Sequence, residues 1–194
     1  MSKRVILITG TPAVGKTTLA KELARQLNAH HVNLTELSEK EHLALREDKE
    51  RGTTVIDEGK MRRKLKQLIT HAASDVVIDG HYAAAVTPKA LVTKVFVLRR
   101  NPVELREFMQ KRGYSQSKQD ENLAAEILDV CLVEALQKQE QGKICELNVT
   151  GKTVENILKD VCNVLEGKHK CYSGTVDWIG TLERQGILDE YLKI

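Results

Sequence analysis

Gly10-Thr11-Pro12-Ala13-Val14-Gly15-Lys16-Thr17-Thr18 joins an apolar run, Val5-Ile6-Leu7-Ile8, to a helical pattern at Leu19, Leu23, Ala24 and Leu27. The spacing is G-x-x-x-x-G-K-[ST] between a strand and a helix. Backbone N–H groups of such a loop, with the first turn of the helix, make a nest for phosphate oxygens. Gly10 and Gly15 let the chain turn and let a phosphate come close with no Cβ in the way. Lys16 can reach β- and γ-phosphates, and the Thr17 hydroxyl is placed for Mg²⁺. An ordinary glycine-rich turn would need neither the lysine nor the threonine at these offsets. Gly10, Ala13, Val14, Gly15, Lys16, Thr17 and Thr18 are therefore the expected contacts to a nucleoside triphosphate.

Outward from this loop the chain alternates. The spacing predicts strands at residues 4–9, 31–34, 75–79, 94–98 and 144–149, and helices over 15–27, from Asp57 through Ile69, from Pro102, through Leu123 to Leu136, and over 154–165. Residues 35–51 read as charged and mostly helical, a solvated face or the flap over a second substrate. Lys111-Arg112-Gly113-Tyr114-Ser115 interrupts a helix, and a polar stretch follows to Asn122. The tail from Lys168 to Ile194 reads as one or two short helices with glycine hinges at Gly174, Gly180 and Gly186. The expected fold is a single α/β domain, a three-layer sandwich around a five-stranded parallel sheet.

The composition fits that reading. The chain has 194 residues, 41% apolar and 29% charged, enough for one well-buried core. A net charge of +3 suits anionic nucleotides without being a nucleic-acid footprint. Aromatic residues make up only 4%, which argues against stacking platforms for single strands, and no direct sequence-specific nucleic-acid binding is expected. Cys131, Cys145, Cys162 and Cys171 have no short spacing, so they read as small buried residues in a reducing compartment. The apolar run after Met1-Ser2-Lys3-Arg4 ends in the loop, and so is neither a leader peptide nor a membrane span; a cytoplasmic protein is expected.

Chemistry needs partners for the loop. Asp79 follows Val76-Val77-Ile78 at the end of a parallel strand, where a carboxylate would share Mg²⁺ with Thr17. His81, two residues on, faces the same side and would orient water or a phosphate-proximal loop, or be an ordinary structural histidine. Adjacent His30 and His31 diverge along an extended chain and do not share a metal. Arg112 reads as the cation of a lid that neutralises charge on a transferring group, against the blander reading of a helix-end arginine. Of Arg99 and Arg100, at least one is expected to point toward the phosphates, while Arg106 is expected at the surface. Residues 149–152 would give backbone contacts to a purine ring.

Together these residues make the chain similar to the adenylate kinase-like ATPases of the CINAP family, in its archaeal form. The resemblance covers about residues 4–165. It rests on the loop (with Ala13 where the family usually has Gly), Ile78-Asp79-Gly80-His81, Phe96-Val97-Leu98-Arg99, Lys111-Arg112-Gly113-Tyr114-Ser115, Glu121-Asn122 and Glu126-Ile127. The resemblance implies ATP and Mg²⁺ as cofactors and adenylate kinase and ATPase activities. It also implies a role in small ribosomal subunit maturation through a ribosomal protein of the platform. It places a nucleoside-monophosphate segment at 33–57 and a lid at 111–121; the tail after Leu165 has no clear counterpart in shorter members of the family, and its own residues make 168–194 a C-terminal helical extension. The segment Arg46-Glu47-Asp48-Lys49-Glu50-Arg51 is more charged than the family pattern leads one to expect.

The expectation is thus an ATP:AMP phosphotransferase with slow ATPase activity, with Lys16, Asp79, His81 and Arg112 as its catalytic set and AMP or another nucleoside monophosphate as acceptor. The rivals are an ATP-switched ribosome-assembly factor with incidental kinase activity, and a small-metabolite kinase acting on a substrate such as shikimate or dephospho-coenzyme A.

Overall fold

The computed structural model describes residues 3–48 and 53–193. In chain order the elements are β1 (Val5–Gly10), α1 (Lys16–Leu27), β2 (His30–Asn33), α2 (Leu34–Lys40), β3 (Ala44–Asp48), β4 (Thr53–Ile56), α3 (Glu58–His71), β5 (Val76–Asp79) and α4 (Ala83–Val86). They continue with β6 (Lys94–Arg99), α5 (Pro102–Lys111), α6 (Gln116–Ile127), α7 (Val130–Lys138), β7 (Ile144–Asn148), α8 (Val154–Leu165), α9 (Trp178–Gln185) and α10 (Leu188–Tyr191). Five strands form a parallel sheet in the order β2-β5-β1-β6-β7. β1 lies at its centre and is buried along its whole length, which explains its uninterrupted apolar run.

Alternation along the strands feeds two cores. Ile6, Ile8, Val77, Phe96 and Leu98 face α1, α5, α6 and α8, while Val5, Leu7, Val76, Ile78, Val95 and Val97 face α3, α4 and α7. The result is the α/β three-layer sandwich that the sequence implies. Helix starts follow their caps: Asp57 accepts from the Lys60 N–H (2.9 Å), and Asn101 accepts from Val103 (2.9 Å) ahead of Pro102.

Several expectations change. The helix expected over 35–51 stops at Lys40, and β3 then pairs antiparallel with β4. The β-branched run Thr53-Thr54-Val55-Ile56, beyond the stretch read as helical, forms β4, and pairing with it holds Ala44–Asp48 extended against their charged helical reading. Lys49, Glu50, Arg51 and Gly52 of this segment lie outside the described residues. The polar stretch before Asn122 is already helical from Gln116, so the break after α5 is confined to residues 112–115. The long helix expected through Leu136 is two helices, parted at Asp129, whose φ of 58° no α-helix can absorb.

The tail is part of the core. Trp178, Leu182 and Tyr191 are buried with the α1 side of the sheet. Gly180 lies inside α9 rather than at a hinge, whereas Gly186 ends that helix in the left-handed region. Arg106, expected at the surface, donates to the Glu190 carbonyl (2.6 Å) and stacks 3.6 Å from the centre of the Tyr191 ring. Cys145 and Cys171 are joined as a disulfide across 5.2 Å between Cα atoms, against the expectation of four reduced thiols. The two cysteines stand 26 residues apart, so no short spacing could announce the pair; β7 brings them together. Among the described residues, no helix is long and apolar enough to cross a membrane.

Candidate active site

The loop from Gly10 to Gly15 turns at the carboxyl edge of β1 and enters α1 at Lys16. Gly10 sits at φ 136°, and a Cβ there would lie 2.5 Å from the Leu98 carbonyl oxygen, so only glycine fits. Ala13 holds φ 71°, a left-handed conformation that a side chain tolerates only at a cost. The Lys16 ammonium folds back over the loop, donating to the Gly10 (2.8 Å) and Thr11 (2.9 Å) carbonyls. Burial pulls its pKa down to about 8, partly opposed by the negative charge of Asp79 and Glu126.

Asp79 ends β5, one strand over, and is buried. Its Oδ2 accepts from the Thr17 hydroxyl (2.6 Å) and from Asn33 Nδ2 (2.9 Å), and its Oδ1 lies 2.6 Å from His31 Nε2. Asn33 caps α2 with its Oδ1 on the Glu36 N–H (3.0 Å), which leaves the amide nitrogen turned toward Asp79 and Thr17. A hydroxyl and a carboxylate at the foot of a phosphate loop are the oxygen ligands that magnesium takes, and these two already touch. The residues therefore fit the ion.

His81 follows on the loop after β5, its ring packed edge-on against Tyr82 with 4.7 Å between ring centres. Partial burial of the ring, then the charges of Lys16 and Lys118, lower its pKa to about 4, so the ring is neutral near pH 7. Arg112 ends α5, exposed, and lines a hollow of about 250 Å³ together with Ala13, Thr18, Arg100, Phe108 and Lys152. Of the two arginines, Arg100 is the one turned toward the loop. Its Nη2 and Nε approach the Val14 carbonyl (3.3 and 3.4 Å), and its guanidinium lies 4.6 Å from the Phe108 ring centre. Arg99 turns into the interior instead, onto Glu126 and Glu146. Of residues 149–152, Lys152 reaches the hollow, whereas Val149 is spent in the core.

Residues 6–129 match the AAA domain family. The chain is 37% identical over 173 residues to a Methanocaldococcus jannaschii protein named "Putative adenylate kinase", covering 89% of this chain and 92% of that one. A Pyrococcus furiosus protein of the same name is 35% identical, covering 92% and 93%. This chain belongs to that P-loop kinase family. Among solved structures, the kinase has the fold of shikimate kinase from Bacteroides thetaiotaomicron (TM-score 0.60, 21% identity, covering 85% of this chain and 99% of that one). It is likewise similar to shikimate kinase from Acinetobacter baumannii (TM-score 0.61, 14% identity, covering 87% and 97%).

Three residues that meet Asp79 or the phosphate loop, His31, Asn33 and Glu126, have no such role in the sequence reading. His31 and Asn33 reach Asp79 because β2 pairs with β5 in the register Asn33↔Asp79. Their i, i+2 spacing puts both on one face of a strand, a usable signal, but the register that aims that face at Asp79 is not written locally. Glu126 reaches the loop from α6, and no spacing connects it to Thr11.

Proposed function

We propose that this kinase is an ATP:AMP phosphotransferase with slow ATPase activity. The observation that carries the reading is the convergence of Lys16, Thr17 and Asp79 at one sheet edge, with Asn33 linking that cluster to the helix that opens the 33–57 segment. The phosphates of ATP would occupy the loop nest, with the adenosine end toward the hollow lined by Arg100, Phe108 and Lys152. Lys16 would exchange its two carbonyl partners for phosphate oxygens, a charge-assisted bond that returns its pKa upward.

Thr17 and Asp79 would hold magnesium, which when bound neutralises phosphate charge. Asn33 would keep the Asp79 carboxylate turned toward Thr17. Arg112 would add positive charge at the transferring group, and AMP would be received under the 33–57 flap, positioned rather than covalently activated. His81, neutral, would order the surroundings of the nucleophile by hydrogen bonding, not by charge.

The names of the archaeal relatives support AMP as the acceptor. The shikimate kinase likeness supports the fold only, since fold does not set substrate. ADP formation from ATP, measured with and without AMP, tests the reading: strong stimulation by AMP is expected. Stimulation by a small-subunit platform ribosomal protein and none by AMP would replace it with the ATP-switched assembly factor that the family resemblance also implies.

A further inference from the structure

The phosphate loop is held from behind by a carboxylate that also holds the C-terminal segment. Thr11, the second residue of the loop, is buried and donates its hydroxyl to Glu126 Oε2 (2.5 Å). The other oxygen of Glu126, on the last turn of α6, accepts from Arg99 Nε (2.9 Å), the Arg100 N–H (3.0 Å) and the indole N–H of Trp178 (3.0 Å). Glu126 is only 1% exposed and Trp178 5%. Arg99 extends the link, its Nη1 donating to Glu146 (2.7 Å). Glu146 in turn accepts from the Thr175 N–H (2.6 Å), the Thr175 hydroxyl (3.1 Å) and the Val176 N–H (3.3 Å).

Two buried glutamates thus share one guanidinium; Glu126 takes further donors from Thr11, the Arg100 N–H and Trp178, and Glu146 from Thr175 and Val176. A buried carboxylate that loses one of several donors shifts toward those that remain, here Arg99 and the Arg100 N–H, because its charge must stay hydrogen-bonded. Reorientation of Glu126 would release the Thr11 hydroxyl, and with it one wall of the nest. Sharing of this kind couples groups that never touch.

We propose that Glu126 and Trp178 are positioning residues for nucleotide binding, and that the C-terminal segment completes the phosphate loop rather than decorating the fold. The inference rests on the reading that ATP phosphates occupy that loop. It also supplies its own reporter, because Trp178 is the single tryptophan of the chain.

The test uses the full chain, with Mg·ATP binding followed both by equilibrium dialysis and by tryptophan emission. Emission is expected to change saturably, with the midpoint that dialysis gives. Trp178→Phe, which removes the N–H and keeps an aromatic ring, is expected to weaken ATP binding about fivefold, the size of one net hydrogen bond, with thermal unfolding still cooperative. Thr11→Val, which removes only the hydroxyl, is expected to weaken it similarly and to blunt the emission response. The double variant is expected to be no weaker than the worse single one, since both act through one carboxylate.

Binding by dialysis with silent emission would overturn this inference alone. So would unchanged affinity in folded Trp178→Phe, or losses that multiply in the double variant. Failure of the wild-type chain to bind ATP in dialysis would overturn the proposed function first, and this inference with it.

Discussion

Replacing Lys16 by methionine should remove activity and, at neutral pH, add stability. A lysine whose pKa falls from 10.5 to about 8 holds its charged form at a cost of about 3 kcal/mol. Methionine fills similar space without charge, but leaves the Gly10 and Thr11 carbonyls short of a donor, at about 1 kcal/mol each. The balance is a gain of about 1 kcal/mol, or about 2–4 °C in Tm for a chain of this size. The sign of the pH dependence follows from linkage. The folded chain holds fewer protons than the unfolded one between about pH 8 and 10.5, so the wild type regains stability as pH rises through that window. At pH 9.5 it should have recovered about 2 kcal/mol, placing it above Lys16→Met.

Urea unfolding without nucleotide, at pH 7 and pH 9.5, reads both orders. ADP formation by the folded variant reads the loss of turnover. A variant less stable than wild type at pH 7, with a gap that does not move with pH, would refute the buried-ammonium argument; full turnover would refute the role of Lys16.

The same lysine shapes the kinetics: kcat/KM for ATP, which reports the free enzyme, should fall above about pH 8, while kcat stays flat further because bound phosphate keeps Lys16 protonated. His81, with its pKa near 4, should add no limb between pH 5 and 9, and a limb removed by His81→Gln would contradict its neutral state. Gly10→Ala forces a Cβ against the Leu98 carbonyl, and calorimetry of ATP binding should find at least tenfold weaker affinity in a chain destabilised by about 1–3 kcal/mol. Ala13→Gly relieves a left-handed alanine and should raise unfolding stability by up to about 1 kcal/mol; a loss would show that φ 71° carries no strain.

What could be read from the sequence was what is local. The loop is legible because glycine, lysine and threonine must fall at fixed offsets between a strand and a helix. Asp79 is legible because three β-branched residues deliver it to a strand end. Asn33 and His31 matter only through the β2–β5 register, which tertiary packing sets. Arg99 and Arg100 are neighbours of one type in a row, and only the buried glutamates on α6 and β7 decide which of them turns inward. The β3–β4 pairing was hidden because the charged residues of β3 imitate a solvated helix, and the antiparallel register that holds them extended is not written in local spacing. The Asp129 break hid for a similar reason, since Leu128 and Leu132 keep helical spacing across a residue that is not helical.

Titration calorimetry of the folded wild-type chain with ATP and magnesium bears most directly on the phosphate cradle. One site per chain is expected, abolished in folded Lys16→Met and weakened when magnesium is withheld. A folded wild-type chain that takes up no ATP, or a Lys16→Met variant that binds it equally well, would contradict the account.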